Sequence, residues 1–412
     1  MREIHVIVSL GAAVLGAGCN IYTSTVDPGG GGGGEQPDLG PGACPEISDG
    51  LESFQCQEIR EMRLADLPPS RGNKYADDDK AAVFGHYNFF DPKLSGAGGV
   101  SCATCHPADG AFQDGLPVST GVGVGTRNAP TTLTAARVTT WFWDGRADAL
   151  WSVPLFAIEN PVELDQTRLQ LAHQVAADPA MRAQYEAAFG PMPDLSDAKR
   201  FPAKGKPGDA SWDGMAADDQ RAVNRVFVNI GKSLEAYMRK ATVGVAPFDR
   251  FLDGDQSAIS PSARAAIPNY AKWCVGCHGG SALTNLSFID FAFVDSPGFH
   301  DPGRAGAVPI LVSNPLGVHG ELADPVNIPG VPAFDAPESY THQFRTPSLR
   351  EIAKTAPYTH GGAVANLADM VNHIATLSGV DNQNMVALMS AFSCDPPPAP
   401  WNAPPATPRP AP

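Results

Sequence analysis

The order cysteine, two small residues, cysteine, histidine occurs twice in this chain, at Cys102-Ala103-Thr104-Cys105-His106 and at Cys274-Val275-Gly276-Cys277-His278. With 8 Cys and 10 His in 412 residues, composition alone predicts about 0.004 such motifs, so two are not chance. Thiols at this spacing could form a redox disulfide or half of a zinc site, but the histidine that follows directly fits covalent heme attachment best. The thiols add to the porphyrin vinyl groups, and the next imidazole becomes an axial ligand of the iron. Cys102, Cys105 and His106 would hold one c-type heme, and Cys274, Cys277 and His278 a second. Two such hemes can serve electron relay, peroxide chemistry or oxygen chemistry, and the sixth coordination position decides among them. After His106 no histidine occurs before His173 and no methionine before Met181. An open first iron is expected, the alternative being a distant ligand brought in by the fold.

Helices must frame these two turns. The stretch from Arg168 to Phe189, broken at Pro179, has a helical pattern. So does Asp218 to Ala241, where Val223, Val226, Ile230, Leu234 and Tyr237 recur every three or four residues. Few strand-like alternations occur, so the expected fold is mostly α with long loops. The length and 43% hydrophobic content suit two domains, and motifs 172 positions apart place one in each. The expected division is an N-terminal domain at 51–243, a connection at 244–262 and a C-terminal domain at 263–394. Residues 191–216, rich in Pro, Gly, Lys and Asp, read as a surface insertion. Residues 395–412, half of them proline, read as an unpacked, disordered tail.

Residues 1–19 have one Arg, an apolar run and small residues ending at Cys19, which is the pattern of an export signal. Cys19, Asn20 and the Gly-rich tether at 20–50 point to a lipoprotein, the alternative being a plain periplasmic protein. The expected location is the periplasm or an outer-membrane anchor facing it, with membrane contact only through the lipid. In that oxidising compartment Cys44, Cys56 and Cys394 are available for one bridge in any of the three pairings. A net charge of -15 and a pI near 5.0 argue against nucleic acid and leave basic proteins or neutral small molecules as partners.

The segments FFDPKLSGAGGVSCATCH, RNAPTTL, WFWDGRADAL, NPVEL, DPGR and FRTPSLREIAKTAPYTHGG, spread over residues 75 to 393, resemble the bacterial di-heme cytochrome c peroxidase family. That family includes the methylamine-utilisation enzyme that oxidises tryptophans of a partner protein. The resemblance implies two cytochrome c-like helical domains and a tryptophan between the hemes, matched by Trp143. Glu163 matches the family's distal acid, which would move a proton from the near to the far oxygen of bound peroxide. Asn128, with the carbonyls of Thr355 and Pro357, matches a calcium site. The implied activity is reduction of hydrogen peroxide at the first heme, with electrons from a small c-type cytochrome relayed through the second. Oxidation of aromatic residues of a partner protein and non-enzymatic electron transfer are the alternatives, and the assembly is left open, a homodimer among the options.

Three departures stand out. The histidine that caps the first heme in many members is absent after LPVSTG, where Val122, Gly123 and Val124 follow. The resemblance then implies activity without prior reduction. Val153 replaces a distal glutamine, which leaves Glu163 as the main proton carrier. At the family's position for the second heme's sixth ligand stands Ile374, which cannot ligate. His373, adjacent, is the preferred substitute and Met370, one helical turn back, the alternative, on a helix that Asn366 and Asp369 could start. Met385 and Met389 read as packing residues. His360 sits near the second heme's edge or is structural.

Overall fold

The computed structural model describes residues 44–407 and 409, apart from 45, 49, 291–299, 326–339 and 379–380. The export signal, Cys19 and most of the tether lie outside the described residues. Helices α1 (Ser53–Glu61) and α2 (Asp79–Phe90) precede the first motif, which forms the single turn α3 (Cys102–Cys105). Next come α4 (Val153–Glu159), α5 (Arg168–Ala177), α6 (Pro179–Phe189), α7 (Ala210–Asp213) and α8 (Ala217–Lys240). Helices α9 (Pro247–Leu252) and α10 (Pro261–Trp273) lead into the second motif at α11 (Val275–His278), and α12 (Arg304–Ser313), α13 (Leu367–Ser378) and α14 (Asn382–Ser390) follow. Strands β1 (Phe288–Ile289) and β2 (Phe344–Arg345) pair antiparallel, Phe288 opposite Arg345. The fold is mostly α, as expected.

Local chemistry sets the helix ends. Asp178 accepts from the amides of Ala180 and Met181, and Pro179 opens α6, which explains the break after α5. Asn366 accepts from the amide of Asp369 at 2.9 Å and its own amide donates to the Asp369 carboxylate at 2.6 Å, starting α13 as the sequence suggests. The predicted stripe of α8 is buried throughout and packs against α2.

Two large apolar cores result among the described residues. One gathers α2, α4, α5, α6 and α8, the other α1, α9, α10 and α14. The chain passes between them from Ala246 to Phe248. Residues 44–62, in contrast, were expected as tether and N-terminal domain but pack in the second core. Ile47, Leu51, Ile59 and Met62 are buried there, and of the three pairings the structure forms Cys44–Cys56, leaving Cys394 a buried free thiol.

Two polar, Pro-rich segments are anchored more firmly than a surface insertion and an unpacked tail would be. In 191–216, Met192, Leu195, Phe201 and Trp212 anchor the insertion in the first core. The tail is not unpacked either. Trp401 packs on that core, Tyr87 donates to the Ala406 carbonyl at 2.7 Å, and Arg409 reaches Asp91 at 3.0 Å. Proline loses little entropy on ordering, so a few anchors suffice to fix such a segment.

Glu235 in α8 is buried, with Ser70 and Asn73 donating to it at 2.6 and 3.1 Å. Burial pushes its carboxyl from 4.5 to about 7, against those bonds and the nearby Arg239. The folded state thus holds this proton more tightly than the unfolded chain, so stability falls as pH rises from 4.5 to about 7 and is level above. The fall is on the order of 3 kcal/mol. Thermal melts across that range are expected to show the slope in the native chain and to lose it in Glu235→Gln.

Candidate active site

Each motif is a helical turn followed by a loop that orients its histidine. At the first, Ser101 and Thr104 cap α3, and the His106 amide donates to the Cys102 carbonyl at 3.0 Å. His106 Nδ1 donates to the Phe112 carbonyl at 3.0 Å, which leaves the Nε2 lone pair available to an iron. That carbonyl is aimed by two left-handed residues, Ala111 and Phe112, at φ 53° and 56°. The second motif repeats the arrangement, with His278 Nδ1 facing the Leu283 carbonyl at 3.4 Å and Leu283 at φ 52°. Burial pulls His278 down to about 4, so it stays neutral and able to ligate.

The sulfurs fit thioether attachment better than the alternatives. Burial pushes Cys102 up to about 12 and Cys105 to about 11, which disfavours a reactive thiolate. Among the described residues no group of three or more His, Cys, Asp or Glu gathers as a metal site, so a zinc centre lacks its remaining ligands.

Glu163 lies in the turn after α4, close enough for its charge to bear on both Cys102 and Cys105. Asn160 donates to Oε1 at 2.6 Å, and the Glu163 carbonyl accepts from Val122 at 2.9 Å. The loop approaches this closely because residue 121 is glycine: a Cβ there would stand 2.4 Å from the Glu163 carbonyl oxygen. Burial raises the Glu163 carboxyl above its ordinary value, opposed by Arg146 and by the Asn160 bond. His173 and Met181, the nearest candidates for a sixth ligand in sequence, are held elsewhere. His173 meets the carbonyls of Phe201 and Pro202, and Met181 is in the core.

A bridge between Trp141 and Ala147 closes the loop that carries Trp143 and Arg146. Trp143 Nε1 donates to the Asn128 carbonyl at 2.9 Å, and its indole lines the cavity of the second motif. Arg146, three residues on, lies over the Phe142 ring at 3.6 Å and acts on Glu163. One loop therefore spans both motifs. Arg127 fixes it from behind, donating to Asp144 at 2.5 Å and to both oxygens of Asp301 at 2.6 Å. Gly145 at φ 71° admits Phe288 and Arg304, which a Cβ would meet at 2.3 and 2.6 Å. Sequence reasoning singled out neither Arg146 nor Arg127, although both stand inside quoted motifs; ion pairing with remote Asp301 has no local signal.

The second cavity, about 220 Å³, far exceeds the roughly 10–15 Å³ that a water needs. Cys274, Cys277 and His278 line it, together with Asn128, Thr355, Pro357 and His360. Met370 and Ile374 line it as well, whereas His373 is exposed and does not. Met389 both packs in the core and borders the cavity, and Met385 only packs. The His360 ring is stacked on Phe344 at 3.7 Å. Arg345 is 8% exposed, borders the cavity and, among the described residues, donates its side chain to the carbonyls of Phe142 and Thr346. Burial lowers it to about 10. A buried cation with no carboxylate partner among the described residues fits a group that brings its own, as heme does with its propionates.

The fold and its two motifs define a mostly helical di-heme protein of the c type. A family model described as di-haem cytochrome c peroxidase matches residues 79–257. Cytochrome c551 peroxidase of Pseudomonas aeruginosa is 31% identical over 338 residues, 78% of this chain and 82% of the relative. Methylamine utilization protein MauG of Methylophilus methylotrophus is 28% identical over 326 residues, 75% of this chain and 79% of the relative. The diheme peroxidase BthA from Burkholderia thailandensis shares the fold, with a TM-score of 0.60 at 18% identity over 84% of this chain and 97% of that one. The chain belongs to the di-heme cytochrome c peroxidase family and is an oxidoreductase. That family carries two c-type hemes and includes both peroxidases and MauG-type enzymes.

Proposed function

We propose that this protein reduces hydrogen peroxide to water at the first motif, taking up two electrons and two protons per peroxide. The observation that carries the reading is Glu163, a half-buried carboxyl with a raised pKa beside Cys102 and Cys105. The two hemes would supply the redox chemistry. The chain supplies the rest: the Glu163 carboxylate accepts a proton from the near oxygen of peroxide and returns it to the far one, so that water leaves. Asn160 fixes its rotamer, and Arg146 tempers the raised pKa. Trp143, on the loop shared by both motifs, offers a path for electrons that arrive from a c-type cytochrome through the second motif. Steady-state peroxide consumption with reduced cytochrome c as donor tests the reading; a holoprotein that binds both hemes and consumes none overturns it.

One observation favours a MauG-type activity on aromatic residues of a partner protein as the second reading. The loop that carries the capping histidine elsewhere is here pinned to Val162 and Glu163 by the amides of Gly123 and Val122, with no side chain able to ligate. Peroxide should then react with the oxidised protein without prior reduction. Paramagnetic resonance of the ferric protein before and after peroxide reports this, as loss of a high-spin signal.

For the second iron the favoured ligand is Met370 rather than His373, because only Met370 borders the cavity. Met370→Ala is expected to change the second heme's low-spin spectrum and His373→Ala to leave it unchanged. The reverse outcome would restore the histidine. Asn128, Thr355 and Pro357 border that cavity together, and the Asn128 amide is spent on the Leu116 carbonyl at 2.8 Å. That leaves its oxygen for a calcium ion. Location in the periplasm, by a lipid anchor at Cys19, completes the proposal. Among the described residues no helix is long and apolar enough to cross a membrane.

A further inference from the structure

A row of aromatic rings leaves the first motif and ends in the Pro-rich tail. The His106 ring is 6.5 Å from Phe89, Phe89 is 5.0 Å from Tyr237, and Tyr237 is 6.3 Å from Trp401. His86 bridges the last step, stacked on Tyr237 at 4.8 Å and 5.4 Å from Trp401. All these separations fall within the range of interacting rings, about 4.5–7 Å. At the outer end of the row Tyr237 donates to the Trp401 carbonyl at 3.0 Å and His86 Nε2 to the Ala403 carbonyl at 2.8 Å, which holds this part of the tail in place. Phe89, Tyr237 and His86 are buried, whereas Trp401 is partly exposed. The row therefore runs from the iron-ligating histidine to solvent.

Burial alone would be served by aliphatic side chains. Here the inner positions carry a phenol and an imidazole, and the outer end an indole. Phenol and indole are the protein side chains most easily oxidised by one electron. The tail that supplies Trp401 lies beyond the segments that carry the family resemblance.

We propose that Phe89, Tyr237, His86 and Trp401 form a relay through which oxidising equivalents left at the first motif, when no donor is present, pass to the surface at Trp401. The relay rests on the peroxide reading above. Each electron that enters the first site leaves Trp401. After two have gone, the indole takes one oxygen from water and releases two protons, and those two electrons and two protons complete the reduction of one peroxide to two waters. Peroxide is the only oxidant, and the row returns unchanged except at its outer end.

The experiment exposes donor-free holoprotein to excess hydrogen peroxide, follows the Soret band of the first heme and maps oxygen addition by peptide mass spectrometry. Oxygen is expected at Trp401, and Tyr237→Phe, which keeps the ring but removes the oxidisable phenol, should reduce it several-fold. Trp401→Phe should bleach the first heme faster than the native chain does. Peroxide consumption with Trp401 unmarked overturns the relay alone, as does equal marking in Tyr237→Phe with the tail still packed by limited proteolysis. No reaction with peroxide overturns the functional reading and the relay with it.

Discussion

Glu163→Gln is expected to slow peroxide consumption about 10²- to 10⁴-fold, the usual contribution of a positioned general acid-base, while both heme spectra stay unchanged. The substitution keeps the shape and the bond from Asn160 but removes the group that accepts the first proton. Because burial raises the native carboxyl above 4.5, the rate should climb with pH through that raised value, as the carboxylate forms. The Gln variant should lose this acid limb. Arg146 bears on the same group: with its cation removed, as in Arg146→Met, the limb should move to higher pH, since Arg146 now holds the carboxyl down. Unchanged turnover in Glu163→Gln would sink the assignment of Glu163 as the proton carrier.

The largest effect on stability is expected at Arg350. This guanidinium is buried in the second half of the chain and donates to Asp249 Oδ2 at 2.9 Å and Oδ1 at 3.1 Å. It also donates to the carbonyls of Met62 at 2.9 Å and Ser281 at 2.6 Å. Asp249 in turn accepts from the amides of Leu64 and Ala246 at 2.7 Å. One ion pair thus joins the end of α1, the start of α9 and the loop after the second motif. Arg350→Met leaves the Asp249 carboxylate buried without its cation, a loss of about 3–5 kcal/mol. Chemical denaturation of the holoprotein measures it. Asp249→Asn combined with Arg350→Met should recover part of the loss, because the uncompensated charge is gone. A single variant within 1 kcal/mol or so of the native chain would mean that water reaches Asp249 and the pair is not dry.

The site was legible where function demands short-range spacing. Two thiols and an imidazole on one turn must be contiguous in sequence, so both heme motifs could be read directly. Glu163 and Trp143 carried no signal of their own: one carboxylate in a loop and one aromatic in a cluster gain meaning only from the motifs around them. The sixth ligand was not legible, because neighbouring residues on a helix point about 100° apart and the sequence does not say which direction meets the cavity. The structure turns Met370 and Ile374 toward it and His373 outward.

The amino-acid sequence by itself determined the cofactor chemistry, the helical character and the family, since local spacing, periodicity and motif order carry all three. Tertiary structure alone decided what depends on segments far apart in the chain meeting. It paired Cys44 with Cys56, moved α1 into the second core, and tied the loop of Trp143 and Arg146 through Arg127 to Asp301. It also laid a tail that reads as loose against α2 and α8, where His86 and Tyr237 bind it and its own Arg409 reaches Asp91. The physical reason is the same in each case: burial and ion pairing reward contacts in space, and a sequence window shows no contact longer than itself.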